Sequence, residues 1–309
     1  MAAMGWNEAE LLRWLARRPR PRGLVGTMGH DAAVLARFTG RAVVCADQVV
    51  EGVHVAPGCA GRVLGRKAAA RALSDLAATA ARPRALLLCI AAPRTERASR
   101  LRAVIEGVDE EARAHGAALV GGDLSQTRGP LSLSVSALGT LAGARAAPGR
   151  SRARPGELVL ASGPFGGSAL GRHLAPQPRF AEAEFLYAHG ATALMDVSDG
   201  LALDLARIAA LARVRIDLEH VPVHPDARRA ARASGRDPRW HALGDGEDHE
   251  LLATLAPARW RRARALAARR FPRLTVIGRV RAGRGLWLAR EEGGALARWD
   301  GRGGWVHGA

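Results

Sequence analysis

Apolar residues along the amino-terminal half of the chain follow the two periods that distinguish strands from helices. Short apolar runs predict strands, and apolar residues that recur every three or four positions predict helices. In chain order these are a strand from Arg41 to Ala46 that ends at Asp47, a helix from Arg62 to Ala81, a buried strand from Ala85 to Ala91, and a helix through Leu101, Val104, Ile105, Val108 and Ala112. A strand from Ala117 to Val120, which runs into Gly121-Gly122-Asp123, and a half-buried strand from Leu131 to Leu138 follow.

Both periods are lost in the middle of the chain. Proline, glycine and arginine interrupt the pattern from Ala146 to Gly156 (AAPGRSRARPG). Because 309 residues exceed what one hydrophobic core usually supports, we expect two domains that meet in this segment, residues 1–148 and 149–309.

The carboxy-terminal half again mixes strands and helices. The predicted elements are a strand from Leu158 to Ala161, a glycine-rich turn from Gly163 to Gly167 leading into a helix, a strand ending at Met195-Asp196, a helix from Leu201 to Leu211 after Ser198-Asp199-Gly200, strands from Val214 to Leu218 and Glu250 to Leu255, a helix from Pro257 to Arg270, and strands from Leu274 to Val280 and Gly285 to Ala289.

The composition is that of a globular protein, with 48% apolar residues. The longest apolar run, Ala85 to Pro93, is far shorter than the roughly 20 residues that span a bilayer, and no basic-then-apolar leader precedes Trp6. The three cysteines (Cys45, Cys59 and Cys89) show neither a disulfide pattern nor zinc-ligand spacing. We therefore expect a cytoplasmic protein with no membrane partner.

The net charge of +17 raises nucleic-acid binding as a hypothesis. However, the basic residues are spread along the whole chain, aromatic residues make up only 4%, and no basic helix or stacking motif concentrates the charge. Lys67 is the only lysine among 46 basic residues, which indicates a coding bias towards arginine. We expect no nucleic-acid partner, although the positive field could attract phosphorylated substrates.

Two short motifs resemble known sites but lack essential residues. Gly61 to Lys67 (GRVLGRK) is similar to a phosphate-binding P-loop, yet its spacing differs and Ala68 stands where a Ser or Thr is required. His249-Glu250 begins like a zinc-protease helix, but Ala253 occupies the position of the second histidine. Neither class of enzyme is indicated.

Acidic residues are the strongest chemical signal in the sequence. Six aspartates lie at the ends of predicted strands or near helix starts, each beside small residues: Asp31, Asp47, Asp75, Asp123, Asp196 and Asp199. Each one alone could be a turn or capping residue, and Asp75 could pair with Arg71 on its own helix. If they converged, they would repel one another unless divalent cations were bound between them.

Several segments, in order, resemble thiamine-monophosphate kinases of the aminoimidazole-ribonucleotide-synthetase-like superfamily. They cover nearly the whole chain: Gly29 to Val34 (GHDAAV), Asp47 to His54 (DQVVEGVH), Lys67 to Ala81 (KAAARALSDLAATAA), Leu119 to Asp123 (LVGGD), Met195 to Leu201 (MDVSDGL) and Gly246 to Leu251 (GEDHEL). The resemblance implies ATP-dependent phosphorylation of thiamine monophosphate to thiamine diphosphate. Alternatives are another ATP-using synthetase of the superfamily and a non-catalytic nucleotide- or thiamine-phosphate-binding homologue.

The resemblance also implies roles for individual residues. The six aspartates would hold several Mg²⁺ ions around the ATP phosphates, with Asp47, Asp75 and Asp123 central to catalysis and K⁺ as a further candidate ion. The implied nucleotide contacts are Arg150, Ser198 and Gly122, and the implied substrate contacts are His54, Glu247 and Trp305. Lys67 is a further candidate for a contact with phosphate or carboxylate.

The fold implied is α+β, with an amino-terminal domain that binds ATP and Mg²⁺ and dimerises through its sheet, and a carboxy-terminal α/β domain. ATP would lie between them, and the protein would be a homodimer. The sequence departs from the family pattern at His30, at Cys45-Ala46, at Ala72, at Asp245 and at His249. Gly308 stands where an aromatic residue would close over the substrate ring, so that Trp305 is the candidate replacement.

Overall fold

The computed structural model of the protein describes residues 6–25, 32–290 and 293–304 and has an α+β fold. By contacts the chain divides into two compact units. The first contains Met1–Leu76 and Ala81–Gly143, and the second contains Ala77–Ala80 and Ala144–Ala309. The division into folding domains 1–148 and 149–309 stays a prediction.

The first unit contains a four-stranded sheet and three helices among its described residues. In chain order its elements are α1 (Glu8–Ala16), β1 (Leu24–Val25), β2 (Val34–Leu35), β3 (Arg41–Val50), α2 (Gly61–Ala78), β4 (Arg82–Pro93), α3 (Ala98–Ala114), β5 (Ala118–Thr127) and β6 (Ser132–Leu141). The sheet order is β3-β6-β4-β5, in which β4 and β5 are parallel and the other pairs are antiparallel. The short strands β1 and β2 form a separate antiparallel pair.

Alternate residues of this sheet face a buried and an open side. Leu133 and Val135 of β6 are fully buried, whereas Val44 of β3 and Leu87 of β4 are 70% and 43% exposed. On the buried side, α3 contacts β4 and β5, and the Cys45 thiol of β3 lies 3.2 Å from the Ala72 carbonyl oxygen of α2. The helices therefore cover one face of the sheet, whereas on the other face Leu24 and Leu35 cover only the part around Ala85 and Leu138.

Close contact between α2 and α3 explains the glycines of the P-loop-like motif. A Cβ atom on Gly65 would lie 2.0 Å from the carbonyl oxygen of Val104 in α3, and one on Gly107 would lie 2.2 Å from that of Arg62 in α2. These glycines let two helix backbones touch. The segment from Gly61 to Lys67 is helical, which confirms that it is not a phosphate-binding loop.

Four strands of this unit, β3 to β6, are longer than the sequence pattern predicts. β3 does not end at Asp47 but continues to Val50, because β6 pairs with it over its whole length. β4 extends beyond the predicted buried run from Ala85 to Ala91 and is buried on one face only. β5 passes through Gly121-Gly122-Asp123 to Thr127, because β4 supplies parallel hydrogen-bonding partners along this stretch.

The second unit contains a seven-stranded sheet among its described residues. Its elements are β7 (Leu158–Ala161), α4 (Phe180–Ala188), β8 (Leu194–Asp196), α5 (Leu201–Ala212), β9 (Arg215–Leu218), α6 (Pro225–Ser234), α7 (Pro238–Gly244), β10 (Leu251–Leu255), α8 (Pro257–Arg270), β11 (Thr275–Arg281), β12 (Gly285–Ala289) and β13 (Leu296–Arg298). The strand order is β13-β12-β9-β11-β7-β10-β8.

Both faces of this sheet carry an apolar core. In β7, Val159 and Ala161 belong to one cluster, which includes Leu205 of α5, whereas Leu158 and Leu160 belong to another with residues of α4 and α8. Because neighbouring strand residues point to opposite faces, helices must pack on both sides of the sheet. No helix in the described residues has the length and apolar character needed to cross a membrane.

One prediction for this unit is wrong. The glycine-rich turn from Gly163 to Gly167 leads not into an α-helix but into two short 3₁₀ turns, Ser168–Leu170 and Arg172–Leu174, separated by Gly171 with a φ of +121°. This left-handed region of φ favours glycine and is incompatible with helix continuation. The pattern also missed α1, α4, α6, α7 and β13.

Candidate active site

The turn between β8 and α5 carries three of the predicted site residues, Asp196, Ser198 and Asp199. A carboxylate from inside the helix holds it in place. Asp204 is fully buried, and its Oδ2 accepts the backbone N–H groups of Ser198 and Asp199 at 3.1 and 3.0 Å. The turn is therefore rigidly tied to the first turn of α5.

Burial also changes the acidity of this carboxyl group. Desolvation raises the pKa of Asp204 to about 6, although the Asp199 N–H group and the Arg207 guanidinium oppose the shift. Arg207 Nη1 donates to Asp204 Oδ1 at 2.7 Å and also to Asp199 Oδ2. One guanidinium thus bridges Asp199 and Asp204.

The segment from Gly246 to Glu250 lies directly against this turn. Glu247 N–H donates to the Ser198 carbonyl oxygen at 2.7 Å, and His249 N–H donates to that of Val197 at 2.8 Å. Glu247 and His249 both have a φ of +50°, which is rare for residues other than glycine and common where backbone strain is kept at functional sites. The second unit therefore brings Asp196, Ser198, Asp199 and Glu247 together, and their roles at the site stay predictions.

Asp196 forms a buried pair with His249. The two side chains are 5% and 1% exposed, and His249 Nδ1 lies 3.2 Å from Asp196 Oδ2. His249 Nε2 is buried and has no hydrogen-bond partner within the described part of the chain. The histidine that departs from the family pattern thus binds one of the predicted metal ligands.

Asp248 and Glu250, which sequence reasoning did not select, anchor the same segment. Asp248 Oδ1 accepts two N–H groups of Arg172 at 3.0 Å each, and both of its oxygens lie near Gly166 N. Glu250 accepts two N–H groups of Arg179, at 2.9 and 2.6 Å, and the hydroxyl of Ser162. The only sequence signal is the density of acids in GEDHEL, because the partners lie more than 70 positions away.

Burial dominates the ionisation of Asp248. Desolvation raises its pKa to about 7, against the opposing effects of Arg172 and the Gly166 N–H group.

In the first unit, Asp47 is bound by an arginine. Arg71 of α2 donates through Nε to Asp47 Oδ2 at 2.8 Å and through Nη2 to Oδ1 at 3.2 Å. Asp75 lies one helical turn after Arg71 and is partly buried. The sequence suggested Asp75 as the partner of Arg71. In the structure, the Arg71 guanidinium donates to the carboxylate of Asp47.

Asp47 and Asp123 occupy opposite edges of the sheet. In the sheet register, Asp47 of β3 pairs with Val135 of β6, and Val135 pairs with Leu88 of β4. Leu88 in turn pairs with Gly122 of β5, the residue before Asp123. Three strand spacings separate the two edge strands, which corresponds to about 14 Å. One ion cannot contact both carboxylates, and among the described residues no group of three or more His, Cys, Asp or Glu is arranged to hold a metal.

The close approach of two strands explains why residue 122 is glycine. A Cβ atom at this position would lie 1.8 Å from the carbonyl oxygen of Leu88 in the neighbouring parallel strand. The packing of β5 against β4 therefore requires glycine. Its predicted contact with nucleotide stays a prediction.

The loop after β3 contains His54 and is held in place by two basic side chains, those of Lys67 and Arg100. His54 Nδ1 accepts the Val50 N–H group at 3.0 Å, so the neutral ring carries its proton on Nε2. Lys67 is fully buried, and its Nζ donates to the His54 carbonyl oxygen at 2.6 Å. Arg100 contacts Glu51, at the start of the loop, at 2.5 Å. Lys67 thus lies behind the loop and fixes the position of His54.

Three predicted site residues remain. Arg150 is exposed and begins a 3₁₀ turn that packs against α5. Asp31 and Trp305 lie outside the described residues.

The donor groups only partly suit the predicted magnesium ions. Carboxylate oxygens such as those of the exposed Asp123 are the ligands that Mg²⁺ prefers. The carboxylates of Asp47, Asp196 and Asp199 instead bind Arg71, His249 and Arg207.

Comparison with known proteins identifies the family. Residues 29–141 match the family model described as "AIR synthase related protein, N-terminal domain". The thiamine-monophosphate kinase of Rhodopirellula baltica is 38% identical over 265 residues, which cover 81% of this chain and 82% of that relative. The chain belongs to the thiamine-monophosphate kinase family.

Solved structures of the family share this fold. The crystal structure of the thiamine-monophosphate kinase from Stenotrophomonas maltophilia has a TM-score of 0.76 and 33% identity, covering 91% of this chain and 94% of that one. AaThiL complexed with AMPPCP and TMP has a TM-score of 0.76 and 25% identity, covering 99% of this chain and 98% of that one.

Proposed function

We propose that this protein transfers the γ-phosphoryl group of ATP to thiamine monophosphate and releases thiamine diphosphate and ADP. The observation that carries the proposal is its likeness, over 99% of its length, to a family member that binds AMPPCP and TMP together. AMPPCP is an analogue of ATP, so that complex contains a donor and an acceptor of the phosphoryl group. The chain contains the six segments that resemble the family pattern, with departures at His30, Ala72 and His249.

Phosphoryl transfer depends mainly on alignment and on neutralisation of phosphate charge. No strong side-chain base is needed, because the acceptor is already a phosphate oxygen. Asp75 and Asp123, together with Asp31, are the proposed Mg²⁺ ligands, and the bound ions would neutralise charge on the phosphates. Arg150, Ser198 and Gly122 are the proposed nucleotide contacts. Potassium is a further candidate ion, tested by replacing K⁺ with Na⁺ in the assay.

The proposed contacts to thiamine monophosphate are His54 and Glu247. The geometry of the loop supports His54 as a phosphate donor, because its Nδ1 accepts the Val50 N–H group and leaves the proton on Nε2. The backbone strain at Glu247 supports a binding role for this carboxylate, which can accept from the aminopyrimidine. Trp305 stays the candidate to cover the substrate ring.

We expect a cytoplasmic homodimer of two-domain chains that pair through the open face of the first sheet. Val44 and Leu87 expose large apolar side chains on that face, where a monomer would normally place polar ones. A second copy of the same face would remove both side chains from water.

Turnover tests the reaction. Purified protein with ATP, Mg²⁺ and thiamine monophosphate should produce equal amounts of thiamine diphosphate and ADP. A protein that binds both ligands without turnover would be the non-catalytic homologue, and turnover of a different acceptor would indicate another synthetase of the superfamily.

Glu247→Gln tests the substrate contact. It should weaken the binding of thiamine monophosphate by about 1–3 kcal/mol, the usual penalty for a buried polar partner left unsatisfied, and leave ATP affinity unchanged. Calorimetry with each ligand measures both affinities. Equal losses for the two ligands, or none for thiamine monophosphate, would contradict the assignment.

A further inference from the structure

We infer that the guanidinium of Arg71 takes the place of a metal ion at Asp47, so that this carboxylate does not ligate Mg²⁺ in this protein. The inference deepens the proposed function and rests on it. It concerns which of the predicted metal ligands bind a metal.

The contact between the two side chains uses both carboxylate oxygens. Arg71 Nε lies 2.8 Å from Oδ2 and Nη2 lies 3.2 Å from Oδ1, which is the paired geometry that makes arginine–carboxylate contacts strong. The side chains of Arg71 and Asp47 are 11% and 23% exposed, so water screens the pair only partly. Both side chains come from regular elements, α2 and β3, which fix their positions.

The Asp47 carboxylate has few lone pairs left for a metal ion. Its Oδ1 also accepts the Gln48 N–H group at 2.6 Å, so three N–H donors already point at the two oxygens. A Mg²⁺ ion needs several oxygen ligands in near-octahedral arrangement. Cys45 and Ala72, which contact each other beside this pair, supply no side-chain oxygen, and the carboxylate of α2 is that of Asp75, one helical turn after Arg71. A cation at this carboxylate would also be repelled by the guanidinium.

The carboxylate of Asp123 is more exposed than that of Asp47. It is exposed on the edge strand β5, about 14 Å across the sheet from Asp47. Its carboxylate is accessible to a metal–nucleotide complex, whereas that of Asp47 is neutralised within the chain. Arg71 therefore supplies at Asp47 the positive charge that a metal ion would otherwise supply.

Counting bound metal ions tests this assignment. Mn²⁺ is titrated into the protein in the presence of saturating AMPPCP, and free Mn²⁺ is followed by electron paramagnetic resonance. Arg71→Met should bind one Mn²⁺ more per chain than the wild type, because no guanidinium then neutralises the Asp47 carboxylate or occupies its lone pairs. Arg71→Lys keeps a cation at the site and should keep the wild-type number. Arg66→Met is the matched control, since Arg66 lies on the same helix but pairs with Glu111.

Equal Mn²⁺ numbers in the wild type and Arg71→Met would overturn the inference. If Arg71→Met does not fold, Asp47→Asn decides the question: an unchanged Mn²⁺ number supports the inference, and the loss of one ion overturns it. Turnover of thiamine monophosphate is measured separately on the wild type. A failure of turnover would appear there, while the difference in Mn²⁺ number between Arg71→Met and the wild type would still decide the inference.

Discussion

Replacement of Asp248 by asparagine tests whether burial controls the ionisation of this carboxyl group. The side chain is 1% exposed, and burial raises its pKa from the usual 3.8 to about 7 although Arg172 and the Gly166 N–H group oppose the shift. Between these two values the folded chain binds more protons at this group than the unfolded chain. The stability that protonated Asp248 contributes is therefore present below about pH 4 and is lost as the pH rises through about 7.

The size of the effect follows from the shift. From 3.8 to about 7 is roughly three pH units, which corresponds to about 4 kcal/mol of differential stability. Each unit of pH within that range should lower the free energy of unfolding of the wild type by about 1.4 kcal/mol relative to Asp248→Asn. Asparagine does not titrate, so the contributions of all other groups cancel in the difference between the two proteins.

Urea unfolding of both proteins at about pH 5, 6, 7 and 8 measures this difference. Asp300→Asn is the control, because its side chain is 61% exposed and its replacement should give a curve parallel to that of the wild type. A constant difference between the wild type and Asp248→Asn would refute the reasoning. A difference that grows in favour of the wild type as the pH rises would show that the Arg172 contacts outweigh burial.

Three further substitutions test the chemistry and the assembly. Asp123→Asn should lower turnover roughly a hundred-fold or more at saturating Mg²⁺ without changing the thermal midpoint, and near-normal turnover would remove this residue from the metal site. Lys67→Met should raise the KM for thiamine monophosphate about five-fold or more and leave the KM for ATP unchanged, because the His54 carbonyl oxygen loses its buried donor. Equal increases in the two KM values would indicate a general loss of structure. Val44→Asp should convert the dimer into monomers in light scattering, whereas Leu211→Asp, at an apolar position 55% exposed on α5, should not; a dimer that survives Val44→Asp must use another surface.

Elements with local signals were predictable from the sequence. The apolar run from Leu158 to Ala161 and the helix from Pro257 to Arg270 have the predicted bounds, the latter because proline at the first helical position marks its start. The turn from Ser198 to Gly200 was also placed correctly before α5. Small residues and a helix start identify such a turn without knowledge of its surroundings.

Partners that are distant in sequence were not predictable. The sequence offers Asp75 as the helical neighbour of Arg71, but the bidentate contact to Asp47 comes from a strand 24 positions earlier. The length of β3 likewise depends on β6, which pairs with it from Arg41 to Val50. Pairing between separate strands extends an element beyond what its own residues favour.

In the segment from Gly246 to Glu250, contacts with arginines that are distant in the sequence hold a strained backbone in place. Its alternate residues have different roles. Glu247 and His249 have the positive φ values beside the Ser198 turn, while the buried carboxylates of Asp248 and Glu250 bind the partly exposed Arg172 and Arg179. A non-glycine residue in this conformation costs on the order of 1–3 kcal/mol, which the surrounding contacts must offset. The two backbone hydrogen bonds to Val197 and Ser198 and the contacts of Asp248 and Glu250 with Arg172 and Arg179 provide that restraint. These anchors therefore hold the backbone that presents Glu247, the proposed contact to thiamine monophosphate.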